Sequence, residues 1–408
     1  MKTYIFLTHA FHGYTGGPSY VRNKKIWLEN HGWKVIGFDL FPKREGENDI
    51  NFKELKEFRD NRLEELQIHP SWFSCRTRET VLNRILNQID LNSEQIVIES
   101  NTQTEAEWGE LLANKINAKH LIYLIGENVY LKTKEEFDFF YFKKERGELF
   151  SISRQAFQLF FKPFITVNDE DTMYWNAMSS IEPQEISVPE LDKIQQADYN
   201  ICHFGREKNY LSYVIPQLET FVNLFPARRF NIIFFGTEQL CKYNTDKLSS
   251  FNNVHLYFIK SYFPIPKKIF KISDVVIATA GCARIAFGEE ATTVSMNVET
   301  NVPLGILGYT TNNISYSSDQ YPDSKLELSE ILSDILIEQK YKNEEPSIKL
   351  EERKNGYNYQ MSFINNSREF YPSVLKIKGV LDLKRSIVRI FARLNLLRMF
   401  NSFKYMFS

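Results

Sequence analysis

The run Gly205-Arg206-Glu207-Lys208-Asn209 follows a short apolar stretch and precedes a helical pattern. A helix start carries positive partial charge, so two cations there are locally unfavourable unless an anionic ligand or a carboxylate compensates. An Arg bridges two oxygens of a diphosphate, and a Lys adds a point charge. The same residues also suit a solvated charged turn. A second anion site is suggested by Ile272 to Gly308. There an apolar run, Asp274 to Ala278, meets the small residues Thr279, Ala280 and Gly281, then a short helical pattern from Cys282 to Glu290 and a strand at Thr292 to Met296. In a parallel sheet such a loop lies at the carboxyl ends of the strands, where the following helix offers unpaired N–H groups. Arg284, placed in the first turn of that helix, either reaches the same anion or forms a weak surface ion pair.

Gly13, Gly16 and Gly17 make a third loop, His12 to Gly17, between a strand and a helix. The loop matches neither G-x-G-x-x-G nor the G-K-[ST] ending of a P-loop, which counts against ordinary dinucleotide binding and triphosphate hydrolysis. It serves either a ligand or tight strand-to-helix geometry alone. His12, Glu99 and Glu127 stand at or just past strand ends, where each is a candidate proton acceptor for a hydroxyl nucleophile or a loop partner. His9 and His203 lie within or near strands and are expected to be packed. Asp169-Glu170-Asp171 pairs carboxylates as a divalent-cation site would, but far in sequence from the anion loops, and is read as a solvated turn.

The elements that position these residues alternate. Thr3–His9, Trp33–Leu40, Gln95–Glu99 and His120–Ile125 are expected strands, with helical spacing from Ser19 to His31, Phe52 to Leu66, Arg78 to Ile89, Thr104 to Ile116 and Lys132 to Lys144. Phe150–Ser153 and Pro163–Val167 suggest short late strands. Alternation restarts with strands at Tyr199–Phe204, Phe230–Phe235 and Val254–Ile259, helices at Tyr210–Leu224 and Leu326–Gln339, and a short helix at Pro266–Lys271. The expected fold class is therefore α/β, with two tandem Rossmann-like domains. Their expected spans are 1–190 and 191–370, followed by a tail over 371–408. From Lys384 to Lys404 the tail has six basic residues and no acid, with Ile387, Ile390, Phe391, Leu394 and Leu397 at helical spacing. That pattern suits an amphipathic helix on an anionic membrane, or one docked on the protein.

At 408 residues the length leaves room for two or three domains, and a formal net charge of -1 gives a nucleic-acid partner no support. The amino terminus lacks the apolar length and cleavage site of a secretory signal, and no apolar run approaches the roughly 20 residues of a spanning helix. Cys75, Cys202, Cys241 and Cys282 form no C-x-x-C pair, so reduced thiols are expected in place of zinc or disulfides. The expected location is cytoplasmic, peripheral on the inner face of the cell membrane.

Three matches give the chain a resemblance to the GT-B glycosyltransferases. Gly16-Gly17 with Trp33-Lys34-Val35 is similar to the family's amino-terminal "GG…L…GW.V" pattern. Gly205-Arg206 with Lys208 resembles its "GR..K" donor-phosphate loop, the Lys standing one position early. Ser273-Asp274-Val275-Val276 through Ala286, with Asn301-Val302-Pro303, is similar to its late "sDv.v…G…" and "n.P" segments. The resemblance implies two domains with a cleft between them. It also implies transfer of a sugar from a nucleotide-activated donor to a hydroxyl of a lipid-linked glycan, as in bacterial polysaccharide biosynthesis. The donor diphosphate would rest on Arg206, Lys208 and the backbone near Gly281, with Gly205 and Arg284 beside it, while the acceptor hydroxyl would enter near Gly16, Gly17 and the strand-end groups, with no metal or cofactor required. Two glutamates eight positions apart, frequent in retaining members, are missing here: Glu289 and Glu290 face Asn297 and Val298 at that distance. The alternatives are a sugar-nucleotide epimerase of the same fold and a non-catalytic binding or scaffold protein.

Overall fold

A computed structural model describes residues 1–9, 16–39, 61, 63–126, 129–168, 183–237, 240, 243–262, 264–298, 300–315, 324–342, 344–349 and 369–377. The chain divides into two units, Met1–Ser179 with Arg353–Ser408, and Ser180–Glu352. Sequence placed the boundaries at 190/191 and 370/371. The short described stretch 369–377 follows the second unit in sequence and packs within the first, Val374 and Ile377 joining its core.

The first unit holds a five-stranded parallel sheet of order β2-β1-β3-β4-β5. Its strands are β1 Lys2–Thr8, β2 Trp33–Asp39, β3 Gln95–Ser100, β4 Lys119–Leu124 and β5 Leu149–Ser151. Both faces are covered, as an all-parallel sheet requires. Ile5 and Leu7 of β1 pack with Trp108 and Val81 on one face, while Tyr4 and Phe6 pack with Tyr20 and Val21 on the other. The period of two thus yields one uninterrupted apolar run in the sequence. The covering helices are α1 Gly16–Asn30, α2 Cys75–Leu86, α3 Gln103–Ile116, α4 Lys134–Glu145 and α5 Arg154–Phe161. Side chains start most of them. Ser74, Thr102 and Ser153 cap α2, α3 and α5, and Thr133 with Glu136 forms a reciprocal capping box on α4.

The second unit carries a six-stranded sheet of order β11-β10-β9-β6-β7-β8. Its strands are β6 Tyr199–Phe204, β7 Phe230–Phe235, β8 Val254–Ile259, β9 Val275–Ala278, β10 Thr293–Met296 and β11 Pro303–Ile306. All neighbours are parallel except β10 and β11. Helices α6 Leu211–Leu224 and α7 Ala280–Gly288 follow β6 and β9.

Several expectations shift. Helix α7 starts at Ala280, two residues before the expected Cys282, so Gly281 lies in its first turn. The Leu326–Gln339 helix divides into an α segment, Leu328–Leu332, and a π turn, Ser333–Ile337. Pro163–Val167 is not a strand, and Glu64–Gln67 is a single 3-10 turn. The acidic triplet at 169–171 and the basic stretch 384–404 fall outside the described residues.

Candidate functional site

Strand order places the first candidate. β6 lies between β9 and β7, with His203 in register with Ile277 and Phe234. Chain connections reverse direction between β6 and β9, the switch point at which open α/β sheets bind ligands. Because the two strands end together, Gly205–Asn209 and Thr279–Gly281 leave the same sheet edge. Gly205 has φ +143 and donates its N–H to the Phe235 carbonyl at 2.9 Å. Gly236, at φ +118, packs on it so closely that a Cβ there would sit 2.4 Å from the Gly205 carbonyl oxygen. Both glycines are thus required by backbone conformation, and Gly236 also by space.

Arg206 is exposed and makes no hydrogen bond or ion pair among the described residues; Lys208 is half-buried. The carbonyls of Lys208 and Asn209 accept from the N–H groups of Leu211 and Ser212, at 3.0 and 3.1 Å, turning the loop into α6. Across the edge, the Cys282 sulfur would be 3.7 Å from a Cβ on Gly205. Burial pushes the Cys282 thiol up, while Lys208 and then Arg206 pull it back down, so both cations act on the start of α7.

That helix start is left open. Thr279 occupies the N-cap position, but its hydroxyl donates to the Met296 carbonyl at 2.8 Å and does not cap the helix. Ala280 takes a left-handed conformation, φ +52, and its N–H donates to the Ile314 carbonyl at 2.8 Å. Ala283 N–H reaches the Thr279 carbonyl at 3.3 Å. The N–H groups of Gly281 and Cys282 meet no acceptor among the described residues, and their direction favours an anion. Arg284 is half-buried, just past this first turn. Chemically, the edge offers two cations and two open N–H groups to one anionic ligand.

No protein-family model matches the sequence, and a search of curated proteins finds no match. Among solved structures, a glycosyltransferase from Rickettsia africae ESF-5 is similar at 12% identity and TM-score 0.51, over 99% of this chain and 97% of that one. Anabaena HepE in complex with UDP is similar at 12% identity and TM-score 0.50, over 89% and 95%. The fold is GT-B. A UDP-N-acetylglucosamine 2-epimerase from Rickettsia bellii is also similar, at 11% identity and TM-score 0.44, over 89% and 94%.

In the first unit of this GT-B chain, His12 and Glu127 lie outside the described residues, and Gly16 and Gly17 are the first two residues of α1. Glu99 differs from expectation. It is fully buried in β3, where one oxygen meets Lys24 Nζ and the Tyr4 hydroxyl, both at 2.5 Å, and the other accepts from Asn101 Nδ2 at 2.9 Å. Such an arrangement clamps α1 to the sheet and leaves no route for a hydroxyl to reach the carboxylate. Lys24 is fully buried too. Burial draws its ammonium down to about 8 against the opposing pull of Glu99.

His9, expected to be packed, instead stands just beyond β1 with its side chain 37% exposed. Its Nδ1 lies 3.2 Å from Oε1 of buried Glu105, whose other oxygen accepts the Asn101 N–H at 3.0 Å. β1 and β3 flank the switch point of this sheet, so His9 occupies a ligand-binding edge. A carboxylate on Nδ1 favours the tautomer that carries its proton on that nitrogen.

Helix α3 carries two further histidine pairs. Glu107 lies 2.6 Å from His69 and Glu110 lies 2.7 Å from His120, all four buried. Burial lowers His69 to about 4 and raises Glu107, which also feels Glu136. Burial alone would raise Glu110, but Lys143 at 2.5 Å, followed by His120, holds it at about 2. Ser100 closes this cluster, its Oγ 3.0 Å from His120 Nε2. Gly109 makes room for both: a Cβ there would be 2.4 Å from each of those atoms. The serine–histidine–glutamate contact has hydrolase-like distances, yet its burial denies it a substrate. Among the described residues no group of three or more ligand side chains is placed to hold a metal, and no helix is long and apolar enough to cross a membrane.

Proposed function

We propose that this GT-B protein is a glycosyltransferase that moves a sugar from a nucleoside-diphosphate donor to a hydroxyl of a lipid-linked glycan in polysaccharide biosynthesis. The observation that carries the reading is the β6/β9 edge, where Arg206 and Lys208 stand beside the open N–H groups of Gly281 and Cys282. Cleavage of the glycosyl–phosphate bond builds negative charge on the departing diphosphate. Fixed cations and N–H groups stabilise that charge where it develops, without a metal. UDP bound to HepE supports a uridine donor. His9, held by Glu105 at the β1/β3 edge of the first unit, is the candidate proton acceptor for a hydroxyl. The acid-free basic run 384–404 supports an anionic membrane surface as the place where a lipid-linked acceptor is met.

Calorimetry with UDP tests the diphosphate site. Arg206→Ala with Lys208→Ala is expected to weaken binding at least tenfold, because each charge-assisted contact contributes about 1.5–3 kcal/mol. Unchanged affinity would sink the assignment. His9→Ala should retain UDP binding and lose acceptor-dependent release of UDP from the UDP-sugar. Isomerisation of the sugar while it stays attached to UDP, with no acceptor needed, would instead establish an epimerase.

A further inference from the structure

We infer that His203 and Tyr210 form a buried clasp that sets the Arg206–Lys208 loop for a diphosphate, a positioning role that rests on the donor reading above. His203 is the penultimate residue of β6, and Tyr210 is the last residue before α6. Both are 1% exposed, and His203 Nε2 lies 2.8 Å from the Tyr210 hydroxyl. This single bond joins the two ends of the segment that carries both cations. The Tyr210 carbonyl accepts from the N–H groups of Tyr213 and Val214, each at 3.0 Å, so the same residue is fixed to the first turn of α6. On its other side His203 packs against the Phe234 ring, with centroids 5.9 Å apart. The clasp therefore ties the loop to the sheet below it and to the helix beyond it.

The direction of the bond follows from proton counting. Burial and the nearby Lys208 charge hold the His203 imidazole down to about 3, so it is neutral and carries one N–H. Nδ1 has no partner. Were the proton on Nε2, both the Tyr210 O–H and the Nδ1 lone pair would go unpaired. With the proton on Nδ1, the Tyr210 hydroxyl donates to Nε2 and a single group stays unpaired, the less costly choice. Burial also raises the Tyr210 phenol, with Cys282 adding to the rise, so its proton stays in place at neutral pH. A neutral clasp adds no second charge beside Lys208. Its geometry is constant from pH 5 to pH 9, roughly the range over which the second ionisation of a phosphate, near pH 6, completes.

Calorimetry on the full chain, with UDP and UMP as probes, tests the inference. Tyr210→Phe keeps the ring and removes the hydroxyl, and is expected to weaken UDP about fivefold to tenfold while changing UMP less, as loss of one buried hydrogen bond implies. His203→Gln, which retains an acceptor for the hydroxyl, should restore most of the affinity lost in His203→Ala. Equal UDP affinity in Tyr210→Phe and wild type would overturn the clasp and leave the donor site standing. Absence of UDP binding to wild type would remove both. Should the variants fail to fold, nitrogen-15 histidine spectra of the wild-type protein decide the matter. The Nδ1–H form of His203, constant from pH 5 to pH 9 and shifted by UDP, is expected. Titration in that range, an Nε2–H form, or no response to saturating UDP would refute the proposal.

Discussion

Replacing Glu110 by Gln is isosteric, yet the surroundings of this carboxylate allow no satisfactory amide orientation. One oxygen accepts the Tyr371 N–H at 2.7 Å, and the other meets Lys143 at 2.5 Å and His120 Nδ1 at 2.7 Å. An amide turned either way aims its NH2 at one of these donor groups, and Lys143 retains only Glu148, at 2.8 Å. Holding the carboxyl at about 2 from an ordinary 4.5 corresponds to about 3 kcal/mol at pH 7, taking 1.36 kcal/mol per pK unit. The sign follows from proton counting. Between pH 4.5 and about 2 the unfolded chain binds a proton that the folded one refuses, so this stability is present above pH 4.5 and lost as pH falls through that window. Trp27, Trp33, Trp72 and Trp108, the tryptophans among the described residues, belong to the first unit, so urea unfolding followed by tryptophan fluorescence reports that unit. Glu110→Gln should lower its unfolding free energy by about 3 kcal/mol at pH 7, with the gap narrowing toward pH 2. A gap below about 1 kcal/mol at pH 7, or one independent of pH, would refute the account of this cluster.

Gly236→Ala places a Cβ 2.4 Å from the Gly205 carbonyl at φ +118, so it should destabilise the second unit by about 1–3 kcal/mol and weaken UDP in calorimetry. Glu99→Leu alone, which strands buried Lys24, should cost the first unit about 3–5 kcal/mol in tryptophan-monitored urea unfolding. Adding Lys24→Met should recover most of that loss. Deleting the residues after Asp382 should move the protein out of the floating fraction with anionic liposomes; equal flotation of both forms would remove the membrane proposal.

The fold was legible because buried parallel strands write themselves as short apolar runs: β6, β7 and β8 fall on the expected residues. Gly205, Arg206 and Lys208 were legible for a related reason, since a loop that closely follows a strand inherits that strand's position. His9 was not. Its partner Glu105 is 96 residues away, and nothing local distinguishes a histidine held by a buried carboxylate from one packed in a core. Glu105, Glu107 and Glu110 of α3 are likewise turned inward, each to a histidine distant in sequence or on another element. Gly109 was the available signal, because a glycine within a helix costs about 1 kcal/mol and implies something packed against it. Glu99 was misplaced for the converse reason: a strand end marks a ligand edge only when the side chain clears the sheet.

The first unit is completed by residues 369–377, which the ribosome delivers only after the whole of Ser180–Glu352 has emerged. At about 5–20 residues per second, the earlier part of the first unit waits on the order of ten seconds or more for Tyr371, Val374 and Ile377. Until they arrive, the Glu110 carboxylate lacks its backbone donor, and the apolar surface beside Phe139 and Phe157 lacks its last cover. The second unit, one continuous stretch, can finish first although it is made second, and the amino-terminal half is then the last part of the molecule to close.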